Sequence, residues 1–339
     1  MNRLLDKTGQ ELSATRKLGK KITMKDYKEL RIVFMGTPEF AVASLDKLIS
    51  AGCNIVGVIT AADKPAGRGM KLQQSAVKKY AAEKGLNILQ PERLKNPDFI
   101  EELKALNADV QAVVAFRMLP EAVWNMPPMG TVNVHGSLLP QYRGAAPINW
   151  AIINGEKFTG VTTFKLQHEI DTGNILLSEK IEIQDGDNAG IVHDKLKEAG
   201  ADLLLKTIKG LADNTLTETA QVETGLALHH APKLNNDVAG IDWCKTTGEV
   251  YNKIRGLSPY PGAFTKLNDK TIKIFQAEKI IESHNAKPGS YISDGKTFLQ
   301  YACANGYISI KELQPEGKKR MAIADFLRGY SFIKNKTSE

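Results

Sequence analysis

The side chains best suited to chemistry lie near the middle of the chain, at the end of the apolar segment Thr131–Val134. Asn133 and His135 stand two positions apart, so in an extended strand they point to the same side. At the carboxyl end of a parallel strand they would face the crevice in which open α/β sheets bind ligands. An amide can donate to a developing oxyanion, and an imidazole can also move a proton. The alternative interpretation is an asparagine that stabilises a turn beside a structural histidine.

A carboxylate that suits this histidine follows in the segment Glu169–Gly173, after the predicted strand Val161–Leu166. Asp171 could stabilise the protonated imidazole of His135 and pass protons to and from it. His168 is a competing candidate, but it stands earlier in the segment and has no carboxylate role. Alternatively, Asp171 only forms an Asx turn ahead of the glycine.

Buried strands alternate with helical patterns over residues 30–166. This alternation predicts an α/β fold with a doubly wound, mostly parallel, Rossmann-like sheet. A first helix is expected over Pro38–Ser50, with Thr37 as its N-cap. The turn at Gly36 lacks the G-x-G-x-x-G pattern, which disfavours a nicotinamide site, although an anion could still lie at the helix N-terminus. The expected strands are 30–35, 55–60, 110–114 and 131–134.

The segments that follow predict a second, smaller domain. A long helix is expected over 189–211, then a polar linker over 213–235 and a helix over 242–255. Beyond them, tight turns separate five short strands, which indicates a closed, OB-like β-barrel. These strands are expected at 263–267, 271–282, 289–293, 297–301 and 306–313.

The chain therefore divides into five parts. They are a disordered extension at 1–29, a catalytic domain at 30–212, the linker at 213–235, an OB-like domain at 236–330 and a tail at 331–339. Within the extension, residues 1–23 are expected to be dispensable for activity, because they carry no apolar periodicity beyond one weak helical stretch.

Length and composition exclude several classes of protein. The chain has 339 residues, of which 42% are hydrophobic and 24% charged; this fits a globular protein of two domains rather than a disordered or fibrous one. No run of about 18 apolar residues is present that would predict a membrane span. Cys53, Cys244 and Cys303 lie far apart, so they predict neither a disulfide framework nor a zinc site. A reducing compartment, the cytoplasm, is expected.

The net charge of +7 is unevenly distributed along the chain. It is +4 over residues 1–30, −3 over 31–230 and +6 over 231–339. A basic domain attached to a nearly neutral one is typical of an enzyme with a separate surface for nucleic acid. The alternative is a solvated, lysine-rich surface.

Several long motifs stand in order along the chain, among them N-V-H-G-S-L-L-P-Q-Y-R-G-A-A-P-I-N-W from Asn133 and I-D-T-G-N-I-L from Ile170. They resemble the folate-dependent formyltransferase family. R-I-V-F-M-G-T-P-E-F-A from Arg31 and D-K-P-A-G-R-G-M-K-L from Asp63 are similar to the members that act on a tRNA. The resemblance covers nearly the whole chain outside the extension. It implies formyl transfer from 10-formyltetrahydrofolate, as co-substrate, to the α-amine of initiator methionyl-tRNA.

The resemblance also implies roles for particular residues. Asn133, His135 and Asp171 would be the catalytic set, with the first two stabilising an oxyanion and the last two moving protons. The S-L-L-P segment would line the tetrahydrofolate site with Ser137, Leu138, Leu139 and Pro140. The turn Val114–Pro120 resembles the family's pteridine-side loop and would add Phe116, Met118 and Leu119. Relatives more often carry Tyr-Gly where Phe116 and Arg117 stand, which leaves the contacts of Arg117 open.

The basic loop 61–74 is implied to insert at the acceptor end of the tRNA. The implied tRNA contacts are Lys64, Arg68 and Lys71 in that loop, and Arg255, Lys318, Lys319 and Arg320 in the second domain. No metal, no permanently bound cofactor and no membrane are expected, and the protein is expected to be a monomer.

Other functions share part of this pattern. Sister formyltransferases that act on an amino-sugar nucleotide or on glycinamide ribonucleotide would keep the same catalytic set, but they need neither the basic loop nor the basic second domain. The intact trio disfavours an RNA-binding protein that only retains the scaffold.

We expect the affinity for methionyl-tRNA to fall steeply as salt rises, because phosphate contacts release counterions. Binding titrations at increasing KCl measure this dependence. A flat response would contradict a phosphate-binding second domain.

Overall fold

A computed structural model describes residues 25–66, 71–221 and 227–330 of the chain. The fold is an N-terminal α/β domain followed by a smaller domain with a curled antiparallel sheet, which confirms the predicted fold class. The strands are β1 Arg31–Gly36, β2 Asn54–Ile59, β3 Lys64–Ala66, β4 Lys71–Gln73, β5 Ile88–Leu89, β6 Val110–Val114, β7 Thr131–His135, β8 Arg143–Gly144, β9 Phe158–Lys165, β10 Ile175–Glu182, β11 His230–Ala231, β12 Ala263–Leu267, β13 Lys270–Ile281, β14 Tyr291–Ser293, β15 Leu299–Cys303, β16 Gly306–Pro315 and β17 Met321–Ala322. The helices are α1 Glu39–Ser50, α2 Ala76–Glu83, α3 Pro97–Ala105, α4 Glu121–Trp124, α5 Pro147–Ile153, α6 Ala189–Ala212, α7 Asn236–Ala239, α8 Thr247–Gly256 and α9 Ile323–Arg328.

The N-terminal domain is built on a seven-stranded sheet in the order β10-β9-β7-β6-β1-β2-β5. Strands β5, β2, β1, β6 and β7 are parallel, whereas β9 pairs antiparallel with β7 and β10 pairs antiparallel with β9. The chain leaves β1 towards β2 and returns to β6 on the opposite side of β1. The strand order therefore reverses between β1 and β6, and such a switch point opens a crevice at the carboxyl ends of the strands.

Strand β1 is apolar from Ile32 to Met35 because both of its faces are buried there. Ile32 and Phe34 pack into the core shared with α1 and α6, whereas Val33 and Met35 pack on the other face against Phe99. Side chains alternate between the faces of a strand, so a continuous apolar run is what a central strand covered by helices on both sides requires.

The C-terminal domain has the sheet order β12-β13-β16-β15-β14, with β17 also paired to β16. Its core includes Trp243, which stacks on Tyr301 with ring centroids 4.5 Å apart. Within the described residues no ladder joins β12 to β14, so the sheet is curled rather than closed. Of the strands expected from sequence, all five are present with bounds shifted by a few residues.

The two domains meet where α8 packs on α5, and Arg255 is a buried polar link between them. The guanidinium donates to the carbonyls of Gln184 (3.3 Å) and Asp187 (3.0 Å) in the N-terminal domain and to Asn252 Oδ1 (2.9 Å). Burial lowers the pKa of Arg255 from its usual value, but arginine remains charged in proteins. With only 8% of the residue exposed, the predicted contact between Arg255 and tRNA is wrong.

Three local expectations differ from the structure. Helix α1 begins at Glu39 with Pro38 as N-cap, one residue later than expected, and no side chain caps it. Helix α8 begins only at Thr247, because Thr246 and Glu249 form a reciprocal capping box there. The expected strands omit β17, and helix α9 was also missed, although Ile323, Phe326 and Leu327 give α9 a buried face at helical spacing.

Segments expected to be loose are held by specific contacts. The Lys25 ammonium lies 2.9 Å from Asp109 Oδ1, and Tyr27 packs on the core, so residues 25–29 belong to the N-terminal domain rather than to a disordered extension. The basic loop contains the antiparallel hairpin β3–β4. Residues 1–24 and 331–339, and with them the remaining predictions for the extension and the tail, lie outside the described residues.

The cysteines carry no evident chemistry. Cys53 and Cys303 are buried, and burial raises the pKa of Cys53 to about 11 and that of Cys303 to about 12. Both thiols are therefore protonated at neutral pH. In the part of the chain that the structure describes, no helix is long and apolar enough to cross a membrane.

We expect Arg255→Ala to lower the free energy of unfolding by about 2–3 kcal/mol, because hydrogen bonds to a charged group contribute about 1.5–3 kcal/mol and the accepting carbonyls are left buried. Urea denaturation measures the change, with Lys319→Ala, an exposed residue, as control. A loss below about 0.5 kcal/mol, the range of ordinary surface substitutions, would contradict the role of Arg255 between the domains.

Candidate active site

A cleft of about 840 Å³ lies at the switch point of the sheet. Its lining comes from the chain just beyond β1, β6 and β7, together with the loop Leu166–Asp171 that follows β9. Asn133, His135 and Asp171 all line it, so the structure brings the predicted trio together. The pairing of β7 with β9 explains the convergence, because Asn133 lies opposite Phe164 and the chain beyond β9 returns over the same edge.

The orientation of the His135 ring is set by a backbone carbonyl. His135 is buried, and its Nε2 lies 2.9 Å from the carbonyl oxygen of Tyr142. A carbonyl only accepts, so Nε2 carries the proton in this contact. In the neutral ring the lone pair is then on Nδ1, which is the nitrogen that faces Asp171. The nitrogen on the carboxylate side is thus free to accept a proton.

Asp171 stands beside that nitrogen without a direct hydrogen bond to it. Its Oδ2 is 3.7 Å from His135 Nδ1 and accepts a hydrogen bond of 2.9 Å from the backbone N–H of Gly144. Asp171 has a φ of 55°, in the left-handed region that aspartate tolerates better than most residues. Only 12% of its side chain is exposed, so its charge acts on the imidazole with little screening by water.

The Asn133 amide provides a hydrogen-bond donor in the cleft. Within the described residues, no protein group is hydrogen-bonded to this side chain, although the residue is half-buried and lines the cleft. Its position two residues before His135 on β7 places both side chains on one face of the strand. The arrangement can therefore offer an N–H donor and a proton-accepting nitrogen to one bound group.

Tyr142 is held by a polar cluster at the back of the site. Its hydroxyl donates to Glu156 Oε1 at 2.6 Å and lies 3.1 Å from His229 Nδ1, and burial raises its pKa well above the usual range. Its backbone N–H donates to the carbonyl of His229 at 2.7 Å, and its φ is 60°. These contacts hold the backbone turn whose carbonyl binds His135.

The residues predicted to bind folate fall into two groups. Phe116, Met118 and Leu119 line the cleft. Arg117 ties their loop to the neighbouring segment by donating to the carbonyls of Pro91 and Glu92. The segment Ser137–Pro140, in contrast, is not part of the cleft lining: the Ser137 hydroxyl donates to the Gln141 carbonyl, and the N–H of Leu139 donates to Thr162. The expected contact of this segment with folate stays a prediction from the resemblance.

The cations predicted to bind tRNA also differ in exposure and in their contacts. Lys64, Lys318 and Lys319 are exposed. Arg320 forms a salt bridge with Glu312 and stacks over Phe275, so its guanidinium is less available to a phosphate than these lysines are. Arg68 lies outside the described residues, and Lys71 lies on β4. Arg255 is the interdomain link described above, so its charge is not on the surface.

The most important residues that sequence reasoning missed lie in the predicted linker. Gln221 contacts the backbone of Asp171 and the side chain of Arg143, and His229 contacts Tyr142. Strand β11 pairs with β8, beside the same turn. Nothing in the polar composition of this segment signals these contacts, because each partner is distant in sequence. Among the described residues no cluster of three or more histidine, cysteine, aspartate or glutamate residues could hold a metal ion.

Fold and site together define an α/β protein with a largely apolar cleft that contains Asn133, His135 and Asp171, and with a second β domain. Two family descriptions match it: "Formyl transferase" over residues 30–208 and "Formyl transferase, C-terminal domain" over residues 233–331. The chain belongs to the formyltransferase family.

Its relatives include a protein of Bacteroides thetaiotaomicron named methionyl-tRNA formyltransferase. The two are 50% identical over 310 residues, which is 89% of this chain and 96% of the relative. A protein of the same name from Parabacteroides distasonis is 52% identical over 315 residues, covering 90% of this chain and 97% of the relative. The match therefore spans both domains and nearly the full length of these relatives.

Solved structures share the fold at low sequence identity. An N-formyltransferase from Helicobacter canadensis, in complex with folinic acid and dTDP-3-aminofucose, has a TM-score of 0.62 at 20% identity, over 86% of this chain and all of that one (100%). HypX from Aquifex aeolicus, in complex with tetrahydrofolic acid, has a TM-score of 0.61 at 18% identity, over 90% of this chain and 48% of that one. These likenesses support the fold alone.

We expect Gly173→Ala to disable the site. A Cβ at Gly173 would lie 1.6 Å from the carbonyl oxygen of Lys165, so the loop that carries Asp171 must move. Overpacking costs about 1–3 kcal/mol or more, and we expect at least the upper value in unfolding measurements.

Gly186→Ala is the matched control, because a Cβ there meets nothing within 4 Å. Equal stability of the two variants, together with unchanged turnover, would show that the loop is not constrained as described.

Proposed function

We propose that the protein transfers the formyl group of 10-formyltetrahydrofolate to the α-amine of initiator methionyl-tRNA, giving N-formylmethionyl-tRNA for translation initiation. The observation that carries the proposal is the convergence of Asn133, His135 and Asp171 in one cleft at the sheet switch point. The names and full-length similarity of the relatives support the choice of acceptor.

His135 and Asp171 form the proton-transfer pair in this proposal. The amine must be neutral to attack the formyl carbon, and it becomes acidic as the N–C bond forms. Nδ1 of His135 takes that proton, and the nearby carboxylate of Asp171 stabilises the resulting imidazolium. The imidazolium then returns the proton to N10 of the folate as the bond between N10 and the formyl carbon breaks. Atoms and charge balance without an oxidant or a metal.

Asn133 is the oxyanion donor in this proposal. The tetrahedral intermediate carries negative charge on the formyl oxygen, and one preorganised donor contributes about 2.7–4 kcal/mol in such sites. His135 can add a second donor only from Nδ1, because its Nε2 proton is used by the Tyr142 carbonyl. His135 can therefore donate to the oxyanion only when its imidazole is protonated. The expectation that His135 stabilises the oxyanion is restricted to that state.

The folate side of the cleft is assigned to the loop after β6. Phe116, Met118 and Leu119 offer an apolar wall for a flat ring, and Met118 is 73% exposed. Arg117 also lines the cleft, and its two backbone contacts fix the loop's position. Hydrogen bonds with Thr162 of β9 hold the segment Ser137–Pro140 in place, and its contact with the folate stays a prediction from the resemblance.

The tRNA side is assigned to cations of the second domain and of the basic loop. Lys318 and Lys319 in the turn before β17, with Lys64, Arg68 and Lys71 of the basic loop, suit phosphate contacts that give affinity without reading sequence. Shape and single-stranded ends supply the specificity of most RNA-binding proteins. A monomer that acts in the cytoplasm, with no bound metal or resident cofactor, fits this reaction.

We expect the purified protein to formylate methionyl-tRNA from 10-formyltetrahydrofolate, measured by acid-stable incorporation of labelled formyl. Asn133→Ala should lower kcat by about 10²–10³-fold, since it removes one oxyanion donor. His135→Ala and Asp171→Asn should each lower kcat by about 10²–10⁴-fold through lost proton transfer. Unchanged thermal unfolding would confirm that the variants are folded.

An amino-sugar nucleotide serves as the competing acceptor in the same assay. Preferred formylation of that acceptor would overturn the tRNA assignment while keeping the chemistry. Near-normal turnover of the Asn133 and Asp171 variants would overturn the chemistry itself.

A further inference from the structure

The segment between the domains contributes a side chain to the back of the active site. Gln221 makes four hydrogen bonds through one amide. Its Nε2 donates to the carbonyls of Asp171 (2.9 Å) and Gly173 (2.8 Å), and its Oε1 accepts from Arg143 Nε (3.1 Å) and Nη2 (2.7 Å). Two donated and two accepted bonds use the whole capacity of a carboxamide. Such complete use of a group by distant partners indicates a specific role.

The partners of Gln221 belong to the two segments that set the distance between His135 and Asp171. Arg143 follows Tyr142, whose carbonyl holds His135 Nε2, and precedes Gly144, whose N–H holds the carboxylate of Asp171. The other partners are the backbone carbonyls of Asp171 itself and of Gly173. The Gln221 side chain therefore connects the turn that orients His135 to the loop that carries Asp171.

The distance between His135 and Asp171 makes proton transfer sensitive to the contacts that Gln221 makes. His135 Nδ1 and Asp171 Oδ2 are 3.7 Å apart, just beyond hydrogen-bond range, so a small shift of either segment decides whether the carboxylate can accept the Nδ1 proton. The backbone at Asp171 is in the left-handed region, and the turn at Tyr142 is as well. Conformations of this kind persist only where surrounding contacts hold them.

We propose that Gln221 is a positioning residue, which holds Asp171 against His135 for proton transfer although it does not line the cleft. The inference rests on the proposed function of the His135–Asp171 pair. It predicts that a loss of the amide donors lowers kcat and leaves KM for the acceptor nearly unchanged, because the cleft and the basic surfaces are not touched.

Gln221→Glu is the first test. The variant keeps the size of the side chain and its contact with Arg143, but it puts an acceptor against the carbonyls of Asp171 and Gly173. We expect kcat to fall about 10–100-fold, as for misplacements of about 1 Å in other enzymes, with KM for methionyl-tRNA within about twofold of the unchanged chain. Gln221→Met, which has neither function, replaces it if the glutamate variant fails to fold by thermal unfolding.

Asn174→Asp is the matched control. Asn174 follows Gly173 and donates to Glu218 Oε2 (3.1 Å), so this variant also removes an amide contact with the same linker, at an exposed position away from the carboxylate. Its kcat should stay within about twofold of the unchanged chain. An equal fall in both variants would overturn the specific role of Gln221.

A double-mutant cycle separates positioning from general support. If Gln221 acts through Asp171, Gln221→Glu should lower kcat by less than about threefold in a chain that already carries Asp171→Asn. A fall as large as in the unchanged chain would overturn the proposal, as would a kcat of the single variant within twofold of normal. Absence of methionyl-tRNA formylation by the unchanged chain would instead contradict the proposed function, and the cycle would then be measured with the acceptor that the protein does formylate.

Discussion

The hydrogen bond between His135 Nε2 and the Tyr142 carbonyl is the constraint on which the site depends. It decides which ring nitrogen can accept a proton, and it does so with a backbone atom whose charge does not change with pH. A side-chain acceptor in that place would compete with Asp171 for the imidazolium. Because a backbone carbonyl fills the position, the carboxylate acts on Nδ1 alone.

To place its carbonyl against His135, Tyr142 adopts an unusual backbone conformation, which contacts with other residues must stabilise. Tyr142 takes a positive φ, and the buried tyrosine ring, Glu156 and the His229 backbone hold it there. The next two residues form β8, which is closed by β11 from the predicted linker. The segment that connects the domains therefore also pairs with the turn that positions His135. Separation of the two domains would remove part of the active site along with the basic surface.

The sequence predicts the central sheet and the common side of Asn133 and His135 because both are encoded locally. Apolar runs identify strands buried on two faces, and residues two apart on a strand share a side whatever the rest of the fold does. The exact start of α8 was not predictable in this way. Residues 242–246 have helical spacing, but Trp243 stacks on Tyr301 and Thr246 caps the helix, and both contacts need neighbours or geometry that periodicity does not contain.

Burial explains why residue type misled the assignment of Arg255 and gave no hint of Gln221. Lys318 and Arg255 are both cations of the basic domain, yet one is exposed and the other donates to two carbonyls of the opposite domain. Only the fold distinguishes a charge that attracts phosphate from a charge that joins two domains. The net charge of the second domain therefore overstates its attraction for an anionic partner, since the charge of Arg255 is buried. The remaining attraction depends on cations that the packing leaves exposed, such as Lys318 and Lys319.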